Sequence, residues 1–159
     1  MKKTLILCLA LAAMLVSCTK DYKEMIVGSW TFESCSQKVT REDGVVTEQT
    51  WRPYYNEKPS ISFKSDGTLS GDWCGISPEY VNNNGENILI ATTLQWNKYA
   101  IQDDRIAFGN DNGFSEIYTI ASMSSTEMVL RSQVYPITTY DSVEPVSGTM
   151  QTTYRLMKK

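Results

Sequence analysis

The stretch Ile26-Val27-Gly28-Ser29-Trp30-Thr31-Phe32 begins the folded part of this chain and predicts its fold class. From Gly28 onward, apolar and polar side chains alternate. One face of the segment takes Trp30, Phe32 and Ser34, and the other takes Thr31, Glu33 and Cys35. A period of two residues is typical of a β-strand with one buried face. We therefore expect an opening strand that directs Trp30 into a core.

The rest of the chain repeats this alternation in short segments separated by turns. Turn-forming pairs lie between segments rich in β-branched and aromatic residues; they are Asp43-Gly44, Asp66-Gly67, Asp103-Asp104 and Asn112-Gly113. We count about eight strands, joined mostly to their neighbours in sequence. Because closure removes exposed strand edges, the pattern favours an all-β, antiparallel, up-and-down barrel. A β-sandwich is the alternative fold.

The first 17 residues have the composition of a secretion leader. Met1-Lys2-Lys3 is basic, residues 5–16 are apolar, and a small residue, Ser17, precedes Cys18. The apolar run is shorter than the roughly 20 residues that a spanning helix needs. Leu15-Val16-Ser17-Cys18 resembles the lipobox of bacterial lipoproteins. This resemblance implies that Cys18 carries fatty acyl chains such as palmitate and becomes the mature N-terminus; an ordinary signal peptide is the alternative.

The mature chain is expected to contain one domain. Residues 18–25 are predicted to form the lipid anchor and its tether, and residues 26–159 to form the barrel domain. Removing the leader removes Lys2 and Lys3 and no acidic residue, so the net charge of −3 falls by two. An acidic body argues against nucleic-acid binding, which uses a basic surface.

Of the four cysteines, Cys8 leaves with the leader and Cys18 is predicted to be acylated. The remaining two, Cys35 and Cys74, are expected to pair as a disulfide, since an oxidising compartment permits it. Two separate thiols are the alternative. Two cysteines in a chain without histidine make a poor metal site, so we expect no metal and no cofactor.

Gly28-Ser29-Trp30 resembles the Gly-x-Trp signature on the first strand of lipocalins. The resemblance extends along nearly the whole mature chain, through residues 61–68, 96–106, 118–120, 128–130 and 154–156. Taken together, these segments are similar to the small lipocalin-like lipoproteins of Bacteroidota. In lipocalins the tryptophan closes the barrel base, and an arginine of the last strand often packs on it. The resemblance therefore implies a structural base made of Gly28, Trp30 and Arg155.

The absence of histidine removes most familiar hydrolytic chemistry from this chain. The conceivable catalytic acids are Asp72, Glu79, Asp103 and Asp104, but Asp103 and Asp104 suit a turn and Asp72 an outward position. We therefore expect a protein that is not an enzyme and has no catalytic residues. The predicted function is non-catalytic binding of a small apolar or amphipathic ligand.

Alternation along the strands predicts which side chains would line a pocket. The expected apolar wall consists of Phe63, Trp73, Phe108, Tyr118 and Met128, with the Tyr118 hydroxyl orienting the ligand. An eight-stranded barrel is wide enough either to fill with its own side chains or to hold one small molecule.

Aromatic residues in predicted loops suggest an alternative function on the outside. Trp51, Tyr54, Tyr55 and Tyr80 could stack on a glycan or contact another envelope protein. The predicted location is the bacterial cell envelope. Thr19 after Cys18 gives no acidic retention signal of the kind that resembles inner-membrane sorting, so the outer membrane is expected, on its periplasmic face or at the cell surface.

Overall fold

The computed structural model describes residues 21–53, 58–81, 85–141 and 144–159, including their side chains except those of residues 78–81, 139–141 and 144. One short helix and eleven strands account for most of these residues. They are α1 (Tyr22–Ile26), β1 (Gly28–Arg41), β2 (Val46–Trp51), β3 (Ser60–Phe63), β4 (Leu69–Val81), β5 (Asn87–Thr93), β6 (Lys98–Gln102), β7 (Arg105–Asn110), β8 (Gly113–Met123), β9 (Glu127–Ser132), β10 (Tyr135–Asp141) and β11 (Glu144–Lys158). The prediction of an all-β fold is confirmed.

All eleven strands belong to one antiparallel sheet. Its order is β5-β4-β3-β1-β11-β9-β8-β7-β6, with β2 attached to β1 and β10 attached to β11. Neighbours in the sheet are mostly neighbours in sequence, and the first and last strands pair along their length. The sheet therefore has the expected up-and-down order, but eleven strands instead of about eight. It is not closed into the predicted barrel, because no ladder joins the end strands β5 and β6 within the described residues.

The sheet curls strongly around one core. Strands β4 and β8 are five places apart in the order, which would separate them by roughly 24 Å in a flat sheet. Trp73 of β4 and Tyr118 of β8 nevertheless lie 5.8 Å apart between ring centroids. One face of the sheet thus encloses a core contributed by β1, β3, β4, β6, β7, β8, β9 and β11.

One end of the sheet, here called the base, is covered by α1. Asp21 caps the helix by accepting a hydrogen bond from the Lys23 amide, and Ile26 is fully buried. The base also contains the turns at residues 64–68, 103–104 and 124–126 and the end of β11. Residues 21–25, which the sequence assigns to a tether, are therefore packed against the folded body.

Trp30 is fully buried at the base, where its indole N–H donates to the Ile26 carbonyl over 2.7 Å. The cation above its ring is Lys158, whose Nζ lies 5.3 Å from the ring centroid and donates to the Met25 carbonyl over 3.0 Å. The predicted partner, Arg155, instead lies outside, with Nε 3.3 Å from Glu127 Oε1. The prediction that Arg155 covers Trp30 is therefore wrong, and the alternation of side chains along β11 explains why. Because Leu156 points inward, Arg155 points outward and Lys158 lies on the inward side.

A β-bulge in β1 changes the side on which Cys35 lies. Phe32 pairs with Leu156 and Ser34 with Arg155, so Glu33 is an extra residue in the ladder. One extra residue reverses the alternation beyond it. Cys35 is consequently 3 % exposed and faces the interior, as Phe32 does, whereas the simple period of two placed them on opposite faces.

Gly71 is a position where both the backbone angle and the neighbouring strand exclude a side chain. Its φ is +109°, and an added Cβ would lie 2.3 Å from the Ser60 carbonyl oxygen of the paired strand. We expect Gly71→Ala to lower the free energy of unfolding by about 2–4 kcal/mol, from backbone strain and overpacking together. Urea denaturation followed by circular dichroism measures this change.

The matched control is Gly44→Ala, where φ is +87° and an added Cβ meets nothing within 4 Å. This variant has the backbone strain but no clash with a neighbouring strand, so its free energy of unfolding should fall by only about 1 kcal/mol. Equal losses in the two variants would contradict the close approach of β3 and β4 at Gly71.

Candidate functional site

The interior contains a continuous network of aromatic side chains, here called the aromatic cluster. Its described members are Phe32, Phe63, Trp73, Trp96, Tyr99, Phe108, Tyr118 and Tyr154. Trp73 is its centre: its ring centroid lies 5.0 Å from Phe32, 5.1 Å from Tyr154, 5.2 Å from Trp96, 5.5 Å from Phe108 and 5.8 Å from Tyr118. Most of these pairs meet edge to face, the arrangement that aromatic quadrupoles favour.

The structure brings the five residues of the predicted pocket wall together. Phe63, Trp73, Phe108, Tyr118 and Met128 are all buried and belong to the same core cluster. They pack against each other and against neighbouring rings. The wall is therefore the tightly packed inner part of the aromatic cluster, and a ligand would have to approach its less buried side.

Three half-buried aromatic residues of the cluster are missing from the predicted wall: Tyr154, Trp96 and Tyr99. Trp96 stacks on Phe108 at 5.5 Å and 24°, and its indole N–H donates to Ser115 Oγ over 3.1 Å. Tyr99 meets Phe63 edge to face and donates its hydroxyl to the Lys64 carbonyl. Trp96 and Tyr99 flank the start of β6, where the sequence shows no clear alternation that would have marked them as inward.

Polar atoms enter the aromatic cluster through a pair of tyrosines. The Tyr154 ring lies 5.1 Å from that of Trp73 and 5.9 Å from that of Tyr118, between ring centroids, so the two phenols are neighbours inside the cluster. Burial raises the pKa of both phenols well above the ordinary value. The nearby Glu116 carboxylate adds to the shift at Tyr118 and receives a long hydrogen bond of 3.5 Å from the Tyr135 hydroxyl. The pair is thus neutral at neutral pH, and Tyr118 is close to the Glu116 carboxylate.

Cys35 and Cys74 are free thiols, so the predicted disulfide is absent from this structure. Cys35 is buried beside Trp51 and Leu89, and Cys74 belongs to the main core. Burial raises the pKa of Cys35 to about 12, and burial together with the neighbouring Cys35 raises that of Cys74 further. Since the thiolate is the reactive form, neither group is a nucleophile at neutral pH.

This burial predicts how the thiols react. In residues 19–159 at pH 8, we expect no rapid reaction with a maleimide, and two reactive thiols after unfolding in guanidinium chloride. A thiol titration with and without denaturant measures both values. If neither thiol reacts with the maleimide in denaturant, the two cysteines form a disulfide. Rapid labelling of the folded protein would contradict the burial of the two thiols.

The same shifts give a sign for the pH dependence of stability. The folded state holds these protons more tightly than the unfolded chain, whose thiols have the ordinary pKa of 9.0. Their contribution is complete below that pH and is lost as the pH rises from 9.0 toward 12. Urea titrations across this range should show falling stability, with a shallower fall after Cys35→Ala and Cys74→Ala are combined.

The alternative surface site is not assembled in the described part of the chain. Trp51 is only 8 % exposed and packs against Cys35 and Leu89, so it is a core residue and offers no exposed face for stacking. Tyr54 and Tyr55 lie outside the described residues, as does the side chain of Tyr80. Cys18, the predicted acylation site, also precedes the described range.

Among the surface cavities of the described part of the chain, three are lined by residues outside the predicted pocket wall. The largest, about 680 Å³, lies on the outer face of β6–β8 beside Phe114 and Ile117. A second, about 310 Å³, is at the base between Lys23 and Tyr99, and a third, about 510 Å³, lies beside Arg155. None has the enclosed apolar character typical of a small-molecule site.

The described residues contain no group of three or more potential metal-ligating side chains among His, Cys, Asp and Glu. Within the same ranges, no helix has the length and apolar character needed to cross a membrane. In comparisons with known proteins, the chain matches no family model, no curated protein and no solved structure.

Proposed function

We propose that this protein is a lipid-anchored, non-catalytic binding protein of a bacterial envelope. In this proposal a lipocalin-like barrel takes a small apolar or amphipathic ligand at the part of the aromatic cluster that contains Tyr118 and Tyr154. The observation that carries the proposal is the cluster itself, in which six other described aromatic side chains accompany a neighbouring pair of neutral tyrosines, Tyr118 and Tyr154. An apolar site with a few oriented polar groups is the usual chemistry of small-molecule recognition.

The curl and order of the sheet support a lipocalin-like barrel over the alternative β-sandwich. The first and last strands pair, and one face of the sheet encloses the core. Near the base, the amide of Tyr99 donates to the Gly67 carbonyl over 2.8 Å, and the amide of Leu69 donates to the Asn97 carbonyl over 2.9 Å. These bonds link the β3–β4 turn to the start of β6 and so narrow the gap in the sheet.

The chemistry of the interior supports binding without catalysis. Cys35 and Cys74 are protonated at neutral pH, and so are the phenols of Tyr118 and Tyr154. The chain has no histidine to act as a general base. Protonated, buried groups orient a ligand by hydrogen bonding but supply no nucleophile.

The end of the sheet opposite the base, here called the distal end, is where a ligand would approach. Five of the six large apolar side chains that the described residues expose lie at or beside it: Val45, Val46, Phe114, Val134 and Tyr135. Glu116 stands between Tyr135 and Tyr118 on this side. Because its carboxylate repels an anion, we expect the ligand's polar group to be neutral or cationic.

Three ligands that differ only in the polar group test this proposal. Residues 19–159 are titrated with dodecanol, dodecylamine and dodecanoic acid, with displacement of a fluorescent apolar probe as the readout. We expect saturable displacement by the alcohol and the amine and weaker displacement by the acid. Glu116→Gln should narrow the difference between amine and acid. No saturable binding of any of the three, or of the probe, would refute the proposed binding function.

The lipid anchor has a separate test. Cys18→Ser should lose acyl mass and no longer partition into detergent, because several acyl chains together give stable membrane attachment. A wild-type protein that shows neither property would overturn the anchor and leave the binding test unaffected.

The second candidate function is protein interaction. The apolar side chains at the distal end favour it, since grouped exposed apolar residues mark contact surfaces. Because Trp51 is buried, the interaction should be tested at this surface and no longer at the predicted site around Trp51. Replacing Val45 and Val46 by Thr should reduce capture of an envelope partner, and unchanged capture would exclude this surface.

A further inference from the structure

We propose that the protein stands on its membrane with the base against the lipid headgroups and with the distal end pointing away from the bilayer. The proposal rests on the proposed lipid anchor at Cys18. It goes further by naming the surface that the membrane contacts and the side from which a ligand arrives.

The length of chain between the anchor and the fold carries this inference. Three residue steps separate Cys18 from Asp21, which caps α1. An extended chain spans at most about 3.6 Å per residue, so these steps cover at most about 11 Å. On so short a connection, a domain of this size cannot rotate far enough to bring its opposite end to the membrane. The end of the sheet that carries α1 must therefore lie next to the acylated residue.

The helix α1 is held firmly to the base, so it does not lengthen the connection. Ile26 is fully buried, and its carbonyl accepts the indole N–H of Trp30. The Met25 carbonyl accepts the Lys158 ammonium over 3.0 Å. Tyr22 also packs against the main core. Releasing the helix would expose Ile26 and break both hydrogen bonds, so the connection stays short.

The base has the chemistry of a surface that rests on headgroups without entering the hydrocarbon. Its exposed turns carry Lys64, Asp66, Asp103 and Asp104, and α1 adds Lys23. None of the large apolar side chains that the described residues expose lies at the base. Charged groups are costly inside the hydrocarbon, so the acyl chains alone hold the protein and the base stays in the polar layer.

The opposite end is far from the bilayer in this orientation. Strand β1 has 14 residues, and at about 3.3 Å per residue it extends roughly 45 Å along its own length between the base and the β1–β2 turn. Val45 and Val46 lie at that turn, and Val134 and Tyr135 lie at the same end. These side chains face the aqueous compartment. A ligand or partner therefore arrives from that compartment, and the supporting bilayer is not its source.

A pair of labelled variants tests the orientation in the mature, lipidated protein. Strand β8 is preceded by Asn112 and followed by the turn that contains Ser125, so Asn112→Cys and Ser125→Cys place a fluorophore at the two ends of one strand, roughly 35 Å apart. Both positions are exposed. The buried thiols of Cys35 and Cys74 should stay unlabelled, which the unmodified protein checks. The proteins are reconstituted into phosphatidylcholine vesicles that carry a nitroxide on the headgroup.

We expect several-fold stronger quenching at position 125 than at position 112. A spacer of about twelve Gly and Ser residues between Lys20 and Asp21, with an average span of roughly 20 Å, should reduce this difference. Equal quenching at the two positions, or stronger quenching at position 112, in protein that floats with the vesicles would overturn the orientation while the anchor stands. Protein that does not float would overturn the anchor and the orientation with it.

Discussion

Replacing Trp30 by Ala should destabilise the domain by about 3–5 kcal/mol, the range for removing a buried tryptophan from a packed core. Trp30 is fully buried and joins three elements of the base. Its loss leaves the Ile26 carbonyl without its donor and removes the ring beneath the Lys158 ammonium. Urea denaturation monitored by circular dichroism gives the change, and Trp30→Phe should lose less because most of the buried ring area remains.

Two substitutions in β11 test which cation supports Trp30. Lys158→Met removes the charge above the ring and the hydrogen bond to Met25, and should cost about 1–2 kcal/mol. Arg155→Met removes an exposed ion pair with Glu127 and should change stability by less than about 1 kcal/mol. The reverse order of losses would restore Arg155 as the cover of the base.

The alternation in the sequence was sufficient to predict the strands but insufficient to predict every side-chain direction. The pairings β1–β2, β3–β4 and β7–β8 follow from local turns, whose Asp-Gly and Asn-Gly pairs are visible in the sequence. The bulge at Glu33 is set by how β1 registers with β11, which lies more than 100 residues away. No local pattern marks it, so the inward position of Cys35 could not be read from β1 alone.

For the position of Arg155, the alternation along the last strand predicts the structure better than the family resemblance does. A period of two residues puts Tyr154, Leu156 and Lys158 on one face of the last strand and Arg155 on the other. The structure follows the alternation. A role transferred from a family motif therefore has to agree with the strand period at its own position.

The interior of the candidate site was predictable as a set, because Phe63, Trp73, Phe108, Tyr118 and Met128 all lie on the inward side of clear strands. Its packing was not predictable in the same way. Trp96 and Tyr99 join the aromatic cluster through the contact between the β3–β4 turn and β6, which is a tertiary feature. Trp51 looked like a loop residue, and its burial depends on Leu89 of β5.

Trp73→Ala should have an effect as large as Trp30→Ala and should act on a different part of the core. Trp73 contacts five rings, from Phe32, Trp96, Phe108, Tyr118 and Tyr154. We expect a loss of about 3–5 kcal/mol, because a central cavity forms and the edge-to-face contacts disappear with the ring. The near-ultraviolet circular dichroism should weaken at the same time, since the remaining rings lose their fixed neighbour.

Trp96→Ala is the matched control within the aromatic cluster. Trp96 is only half-buried and meets two of the other described rings, Trp73 and Phe108, so its removal should cost about 1–2 kcal/mol. The loss for Trp73→Phe should fall between the two, because phenylalanine keeps a ring but fills less of the buried space than the indole does. If Trp96→Ala were as costly as Trp73→Ala, the cluster would have no centre at Trp73. Ligand binding should then be sought on the Trp96 side, where β6 meets the β3–β4 turn.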